Sequence, residues 1–361
     1  MTYRKLIALL LLCALLLCGC GISPAGSYVE TTTAATVPAV SDGAPLLVHF
    51  IDVGQADCAL IEWEGFSILI DGGNKEDGQL VVSYLEQQGV EELDAVICTH
   101  AHEDHVGGLP SVLAVYPTGA VYAPTKTYSS KVFDDFLYYT DQQGLEVILP
   151  TPGDEKVFTS GDSELTLTFL GPTQSYADPN NTSIIVKLEY GETSFLFTGD
   201  METSAENDML DYWGSQVDWN VDVLKVGHHG SDTSTGYRFL NEVMPTYGVI
   251  SVGAGNSYGH PCEEPLSRLK QAGVTLFRTD ELGTVIAKSD GTEITFTWED
   301  QSAQPEDVEA AEAATYIGNI NSKKFHTGDC GSLPKEENRV YFDSYQEAID
   351  EGYTPCGSCL G

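Results

Sequence analysis

Four side chains within one short run, His100, His102, Asp104 and His105, carry the strongest chemical signal in this sequence. Imidazoles two residues apart, followed by an adjacent carboxylate and imidazole, give one loop the ligands for two cations. His100 and His102 can aim at one spot, while Asp104 and His105 turn toward a second about 3.5 to 4 Å away. The chain has 8 histidines; three lie here, His228 and His229 are adjacent to each other, and His260 sits in a glycine-rich loop. Two carboxylates occupy matching places, Asp71 before Gly72-Gly73 and Asp200 after Gly199, where backbone can approach a ligand closely. Either one alone reads equally well as a turn residue; beside the histidines both gain a role at the site. Two cations held close bring a shared water toward a neutral pKa and neutralise charge on a phosphate or acyl oxygen, which is hydrolytic chemistry.

Each of these groups follows an apolar run. Residues 67–70 lead into Asp71, 95–98 into the histidine loop, 195–197 into Asp200, and 221–224 into His228 and His229. Short apolar runs closed by Gly, Asp or Pro are strand signals. Further strands are expected at 46–51, 58–63, 165–169, 184–188, 248–251, 275–278, 284–287 and 294–298, and helices at 79–88, 106–115, 131–142, 204–212, 236–243 and 265–272. Strand-rich halves with helices between them imply two mixed sheets packed face to face with helices outside. Cys58 and Cys98 fall in strands and read as small core residues.

The order Asp71, His100-Ala-His102-Glu-Asp104-His105, Asp200, His228 resembles the five-motif pattern of the metallo-β-lactamase superfamily. The flanking words His49-Phe-Ile-Asp-Val-Gly-Gln-Ala-Asp57, Thr198-Gly-Asp200, Lys225-Val-Gly-His-His-Gly-Ser231 and Asn256-Ser-Tyr-Gly-His-Pro261 are similar to the soluble hydrolase domain of ComEC-type competence proteins and their secreted stand-alone relatives. The resemblance implies an α/β fold, an αββα sandwich with the site at one edge of the two sheets. It implies His100 and His102 on a first metal, Asp104, His105 and His228 on a second, and Asp200 as the bridge. Asp71 would orient these ligands from behind, through His105. Asp104, Asp200 and His260 are the expected catalytic groups, with His260 or His229 on the departing or non-bridging oxygen. Asp57 reads equally as a further site carboxylate or a turn residue, and Ser231 and Asn256 as substrate contacts. Many members carry one more histidine where this sequence has Asn180-Asn181-Thr182-Ser183. The first cation then has fewer protein ligands, which leaves the choice between Zn²⁺ and Mn²⁺ open.

A second ligand set lies in residues 315–361. His326-Thr-Gly-Asp-Cys330 and Cys356-Gly-Ser-Cys359 have the count and spacing of a closed tetrahedral zinc site, and a unit this small needs such a staple. Disulfides are the alternative outside the cytoplasm, but they would strand one cysteine and leave His326 unexplained. The words Tyr316-Ile-Gly-Asn, Lys324-Phe-His, Asn338-Arg-Val-Tyr-Phe and Gly352-Tyr-Thr-Pro-Cys resemble the zinc-binding module of Ada-type DNA repair proteins. His326 stands where that module carries a reactive cysteine, so the resemblance implies one structural zinc and a nucleic-acid contact, not methyl transfer. Lys323, Lys324, Lys335 and Arg339 make this part less acidic than the rest.

Acidic residues outnumber basic ones 54 to 17, which repels phosphate backbones and anionic lipid and disfavours generic nucleic-acid coating. Lys187, Lys225, Arg238, Arg268, Lys270 and Arg278 are sparse company for a polyanion. Arg4-Lys5 and the apolar run 6–17 have the layout of a secretory leader, too short for a comfortable membrane span. The ending Leu17-Cys18-Gly19-Cys20 resembles a bacterial lipobox with Cys20 as the lipidated residue; an ordinary cleaved leader is the alternative. The expected division is a signal peptide at 1–20, a flexible tether at 21–45, the hydrolase at 46–299, an acidic linker or lone exposed helix at 300–314, and the zinc module at 315–361. The leading reading is an exported di-metal hydrolase on the outer face of the bacterial cytoplasmic membrane, attached by its lipid anchor alone and without a channel region. It would cleave phosphodiesters of DNA through a metal-bridging hydroxide. The same centre acting on a small phosphoester, a nucleotide or phospholipid head group, is the second reading, with a β-lactam or thioester behind it. A metal-stabilised binding protein without catalysis is the third.

Overall fold

The computed structural model describes residues 44–306, 316–328, 330–342 and 345–360; the leader with Cys20 and residues 21–43 of the tether lie outside the described residues. Strand β1 (Leu46–Phe50) precedes a hairpin of β2 (Ala59–Trp63) and β3 (Phe66–Ile70). Glu64 and Gly65 close that hairpin at φ 50° and 85°, the pair of positive values that gives a two-residue turn the twist of its strands. The chain then alternates α1 (Gly78–Gln88), β4 (Ala95–Ile97), α2 (Glu103–Val106), α3 (Leu109–Val115), β5 (Val121–Tyr122), α4 (Lys131–Gln142) and β6 (Val147–Ile148). Helical crossovers make neighbouring strands parallel, and β3 through β6 are.

Strands β7 (Glu155–Ser160), β8 (Ser163–Gly171), β9 (Ile185–Tyr190) and β10 (Thr193–Phe197) form an antiparallel meander. Alternation resumes with α5 (Thr203–Trp213), β11 (Val223–Lys225), α6 (Tyr237–Val243), β12 (Tyr247–Ile250), α7 (Glu263–Gln271) and β13 (Thr275–Arg278), so β10 through β13 are parallel. After the short α8 (Thr279–Leu282), β14 (Val285–Ser289) and β15 (Ile294–Trp298) rejoin the first sheet. The two sheets run β15-β14-β1-β2-β3-β4-β5-β6 and β13-β12-β11-β10-β9-β8-β7.

Three apolar layers hold this together. Phe50, Ile61, Ile70 and Ile97 of the first sheet meet Phe169, Val186, Phe197 and Val223 of the second. Leu60, Leu69 and Val96 turn outward to Val81, Leu85 and Phe133, whereas Leu196, Leu224 and Ile250 cover Met209, Leu240 and Leu269. Successive strand residues face opposite sides, so each central strand feeds two layers and the result is the αββα sandwich expected. No helix among the described residues is long and apolar enough to cross a membrane.

Three expectations need correction. The helix read at 106–115 is two, because a side chain at Gly108 would lie 2.0 Å from the Gly72 carbonyl oxygen and the chain breaks there to let the loop after β3 pass. The strands at 121–122, 147–148 and 155–160 carry too short or too exposed a pattern to read, yet they complete one edge of each sheet. Residues 300–306, expected as the start of an exposed linker, pack on the hydrolase body: Asp300 N–H donates to the Leu282 carbonyl, Ala303 packs on the inter-sheet core, and Glu306 bridges Leu276. Backbone pairing, not an apolar run, fastens this acidic stretch. Residues 307–315 of the expected linker lie outside the described residues.

Glu206 of α5 is fully enclosed and accepts the backbone N–H of Gly236 at 2.9 Å. Burial pushes its carboxyl up to about 7 from 4.5, so protonation favours the fold. That contribution is complete below about pH 4.5 and is lost as pH rises through 7, roughly 3 kcal/mol in all. Glu206→Gln should therefore gain on wild type by about that amount between pH 5 and 8 in denaturant titrations; parallel curves would show that Glu206 does not set this dependence.

The C-terminal module is built on a third, four-stranded sheet of β16 (Tyr316–Asn319), β17 (Lys324–His326), β18 (Arg339–Phe342) and β19 (Thr354–Pro355), ordered β18-β16-β17-β19, with α9 (Tyr345–Asp350) beside it. Its core is small, Tyr316, Phe325, Phe342, Tyr345, Ala348, Tyr353 and Leu360, and Tyr237 of α6 packs against it from the body.

Candidate metal centre

The parallel strands β3, β4, β10, β11 and β12 end on one edge of the sandwich, and each hands its next residues to the same place. Ligand sites of open α/β sheets form beyond such carboxyl ends. Asp71 leaves β3 at φ 59°, a left-handed conformation that aspartate tolerates. Its buried carboxylate accepts the Thr99 backbone N–H at 2.7 Å and the Thr99 hydroxyl at 2.6 Å, and lies 2.8 Å from His105 Nδ1. One side chain thus fixes the loop after β4 and leaves His105 Nε2 facing the site. Asp71→Asn should weaken Mn²⁺ binding by about 10- to 100-fold in calorimetric titration; unchanged affinity would remove Asp71 from that role.

Asp200 is pressed inward from the end of β10. Gly199 sits at φ 51°, and a Cβ there would lie 2.8 Å from Ser183 Oγ. Ser183 Oγ also accepts the Asp200 backbone N–H at 3.0 Å. The Asn180–Thr182 turn therefore supports the centre from behind, and Asn181 is engaged with Glu202 at 3.0 and 3.2 Å.

After β11, His228 and His229 both adopt left-handed backbone, φ 50° and 53°, strain on the order of 1–3 kcal/mol per residue. The two rings reach different oxygens of Asp200. His229 is buried, with Nδ1 2.8 Å from the Ser251 carbonyl oxygen and 3.2 Å from Asp57 Oδ1. His228 stays partly exposed. The structure adds His229 to the expected ligands: it joins Asp104, His105 and Asp200, whose ligand atoms all lie within 4.8 Å of one another, while His228 lies on the other oxygen of Asp200.

The two oxygens of Asp200 divide the imidazoles into pairs. Oδ1 lies 3.2 Å from His105 Nε2 and 3.6 Å from His229 Nε2. Oδ2 lies 3.8 Å from His100 Nε2 and 3.6 Å from His228 Nε2. Asp104 Oδ2 approaches His229 Nε2 at 3.4 Å and His105 Nε2 at 4.0 Å, and His102 Nδ1 lies 3.1 Å from His100 Nε2. His105 Nε2, Asp200 Oδ1 and His229 Nε2 are buried and make no hydrogen bond. Three orphaned donor atoms aimed at a common point fit a cation, since buried polar groups are otherwise paired.

The charges ask for the same thing. Burial would push the His105 imidazole down, but Asp200, Asp71 and Asp104 outweigh it and hold it well above its ordinary value. Burial likewise opposes a rise of His229, but Asp200 and Asp57 outweigh it and lift the imidazole to about 10. Buried carboxylates draw positive charge onto whatever group can carry it. His100 differs: burial, then His105, holds it well below its usual value, and neutral imidazole is the ligand form. Behind His229, Asp57 pairs with Lys225 at 2.9 Å, both buried. Burial raises Asp57, while Lys225 and His229 outweigh that and hold its carboxyl at about 2.

This position removes Lys225 from the candidate phosphate contacts, and others follow. Lys187 is buried on the Asp218 carbonyl oxygen, Arg268 on the carbonyls of Ser234 and Thr235, and Arg278 pairs with Asp280. Asn256 spends its amide inside its own loop, and Ser231 is buried against Thr233, so neither offers a substrate contact. His260 packs edge-on to His228, ring centroids 5.6 Å apart. Thr99, Ser183 and Ser251 escaped sequence reading, having no charge to mark them; Lys225, a lone cation within an apolar strand, was the available signal.

In the C-terminal module His326 Nδ1 lies 3.3 Å from Cys330 Sγ and 4.0 Å from Cys359 Sγ, and these with Cys356 fall within 4.8 Å of one another. Tetrahedral ligands at about 2.0–2.3 Å from zinc stand about 3.5 to 4 Å apart, so the four atoms fit that ion, and the cysteines are free thiols.

Residues 51–254 match the family model of the metallo-beta-lactamase superfamily, and residues 301–360 that of the metal binding domain of Ada. ComE operon protein 3 of Bacillus subtilis is 28% identical over 66% of this chain and 32% of its own length. Recombination protein 2 of Haemophilus influenzae is 30% identical over 62% of this chain and 26% of its own. The chain thus spans between a quarter and a third of these relatives. The solved structure of the metallo-beta-lactamase fold protein YhfI from Bacillus subtilis aligns with 70% of this chain and all of its own, at 16% identity and TM-score 0.44. With its matched span covering more than half its length, this chain belongs to the metallo-beta-lactamase superfamily and carries an Ada-type metal-binding domain after the hydrolase body.

Proposed function

We propose that this protein is a di-metal phosphodiesterase acting on DNA. The observation that carries the reading is the division of four imidazoles between the two oxygens of Asp200. His105 and His229 with Asp104 would hold one cation, and His100 and His102 the other, with His228 in place of the histidine missing from 180–183. Two divalent cations, when bound, activate water near neutral pH and neutralise charge on phosphate oxygens. The remaining groups of the chain position and screen: Asp71 holds His105, Asp57 and Ser251 hold His229, and His260 faces a departing or non-bridging oxygen.

The recombination name of one relative supports DNA as the polymer. Burial of Lys187, Lys225 and Arg268 in internal pairs favours a second reading, a small phosphoester that needs no cationic track. The test is cleavage of linear DNA and of bis-p-nitrophenyl phosphate by the purified full chain with Mn²⁺ or Zn²⁺, with His102→Ala as control. Cleavage of both, lost in the variant, supports the nuclease; hydrolysis of the diester alone transfers the assignment to the small substrate. We also assign the chain to the outer face of the bacterial cytoplasmic membrane through a lipid on Cys20. Cys20→Ala should release it from the membrane fraction, and retention would overturn the anchor.

A further inference from the structure

An exposed ring stands beside the metal centre on a loop held together by its own hydrogen bonds. The loop from β12 to α7 closes around the amide of Asn256. Its Nδ2 donates to the Gly253 and His260 carbonyls at 2.9 and 2.6 Å, and its Oδ1 accepts from the Tyr258 and His260 backbone N–H groups at 3.1 Å each. Four bonds use both donors and both lone pairs of one amide. Tyr258, carried on this ring of bonds, is 72% exposed, more than any other large hydrophobic residue described. One face lies on the His260 ring, centroids 5.8 Å apart at 27°, and the exposure leaves the other face to solvent. His260 in turn meets His228 edge-on at 5.6 Å, and His228 Nε2 lies 3.6 Å from Asp200 Oδ2.

A line of rings therefore leads from Asp200 to an open aromatic face two ring contacts away. Single exposed aromatics are ordinary; one on a hydrogen-bonded loop, backed by a second ring and leading to a ligand cluster, has the layout of a stacking platform. We propose that Tyr258 and His260 form a nucleobase-stacking subsite, which makes the substrate a nucleotide strand with unpaired bases. The inference rests on the phosphodiesterase reading for the position of the phosphate. It also answers the charge problem: with Lys187, Lys225 and Arg268 turned inward and acidic residues at 54 against 17, phosphate attraction is weak, whereas stacking draws on the π-face that every base offers. In duplex DNA that face is covered by neighbouring bases, so the subsite selects single strands or frayed ends.

The test compares the Mn²⁺-loaded full chain with its Tyr258→Leu and Tyr258→Phe variants on a single-stranded oligodeoxynucleotide and on methyl p-nitrophenyl phosphate. In Tyr258→Leu, kcat/KM on the oligonucleotide should fall relative to that on the small diester by about 5- to 150-fold, mainly through KM, and Tyr258→Phe should keep the wild-type ratio. A second readout needs no cleavage: titration calorimetry with deoxyadenosine monophosphate and with deoxyribose 5-phosphate. Wild type should prefer the base-bearing ligand, and Tyr258→Leu should erase the preference. Equal loss on both substrates, or no preference for the nucleotide in wild type, overturns the subsite. If no diester is cleaved but the preference and its loss are seen, the phosphodiesterase reading fails and the subsite stands.

Discussion

Asp200→Ala should empty both cation positions together and lower phosphodiester hydrolysis by about 10³-fold or more, since each cation supplies several kcal/mol at about 1.4 kcal/mol per decade. The reason is geometric. Asp200 alone faces all four inward imidazoles, with Oδ1 toward His105 and His229 and Oδ2 toward His100 and His228. It is also buried, so removal leaves imidazoles that Asp200 had compensated inside a dry pocket, and an uncompensated buried charge costs more than the pair contributes. His102→Ala makes the contrast. Among the described ligand residues His102 lies against His100 and not against Asp200, so this variant should lose metal from one position and keep the other. Elemental analysis after dialysis against Mn²⁺ distinguishes them: near zero equivalents in the body for Asp200→Ala, near one for His102→Ala. One equivalent retained in Asp200→Ala would show that the two positions do not share this carboxylate.

The ligands were legible because their chemistry is written in types and spacing: histidines two apart after a strand, aspartates beside glycine. The sandwich was legible for a similar reason, since Leu60, Leu69, Leu196 and Leu224 feed outer layers while their neighbours feed the inner one. Assigning His228 and His229 was beyond a linear reading. Which adjacent ring turns inward depends on two left-handed residues and on the Ser251 carbonyl across a strand boundary. Lys225 shows the same limit: as a residue type it reads as a phosphate contact, and only its burial against Asp57 reveals a support beneath His229. Edge strands of two residues and the backbone-fastened stretch to Glu306 carry no periodic pattern at all.

Loss of zinc from the C-terminal module should unfold that module while leaving the body intact. Seven apolar side chains form its core, too few to stabilise so small a unit alone, whereas binding of a structural zinc contributes on the order of 10 kcal/mol. A chelator would also strip the hydrolase centre, so the clean probe is Cys356→Ser, which removes one ligand far from Asp200 in sequence. Expected results are the loss of one zinc equivalent, rapid proteolysis within 316–360, and an unchanged melting transition for 44–306. Protection of the module without zinc would mean that its contact with Tyr237 suffices to hold it. The same variant addresses substrate holding. The cleft of about 720 Å³ between body and module is walled by Asp232, Glu263 and Glu264 on the body side, and these carboxylates repel a polyanion. DNA cleavage by Cys356→Ser should thus fall only if the module, through its exposed Lys324 and Lys335, carries the strand; an unaltered rate would assign the module to another partner.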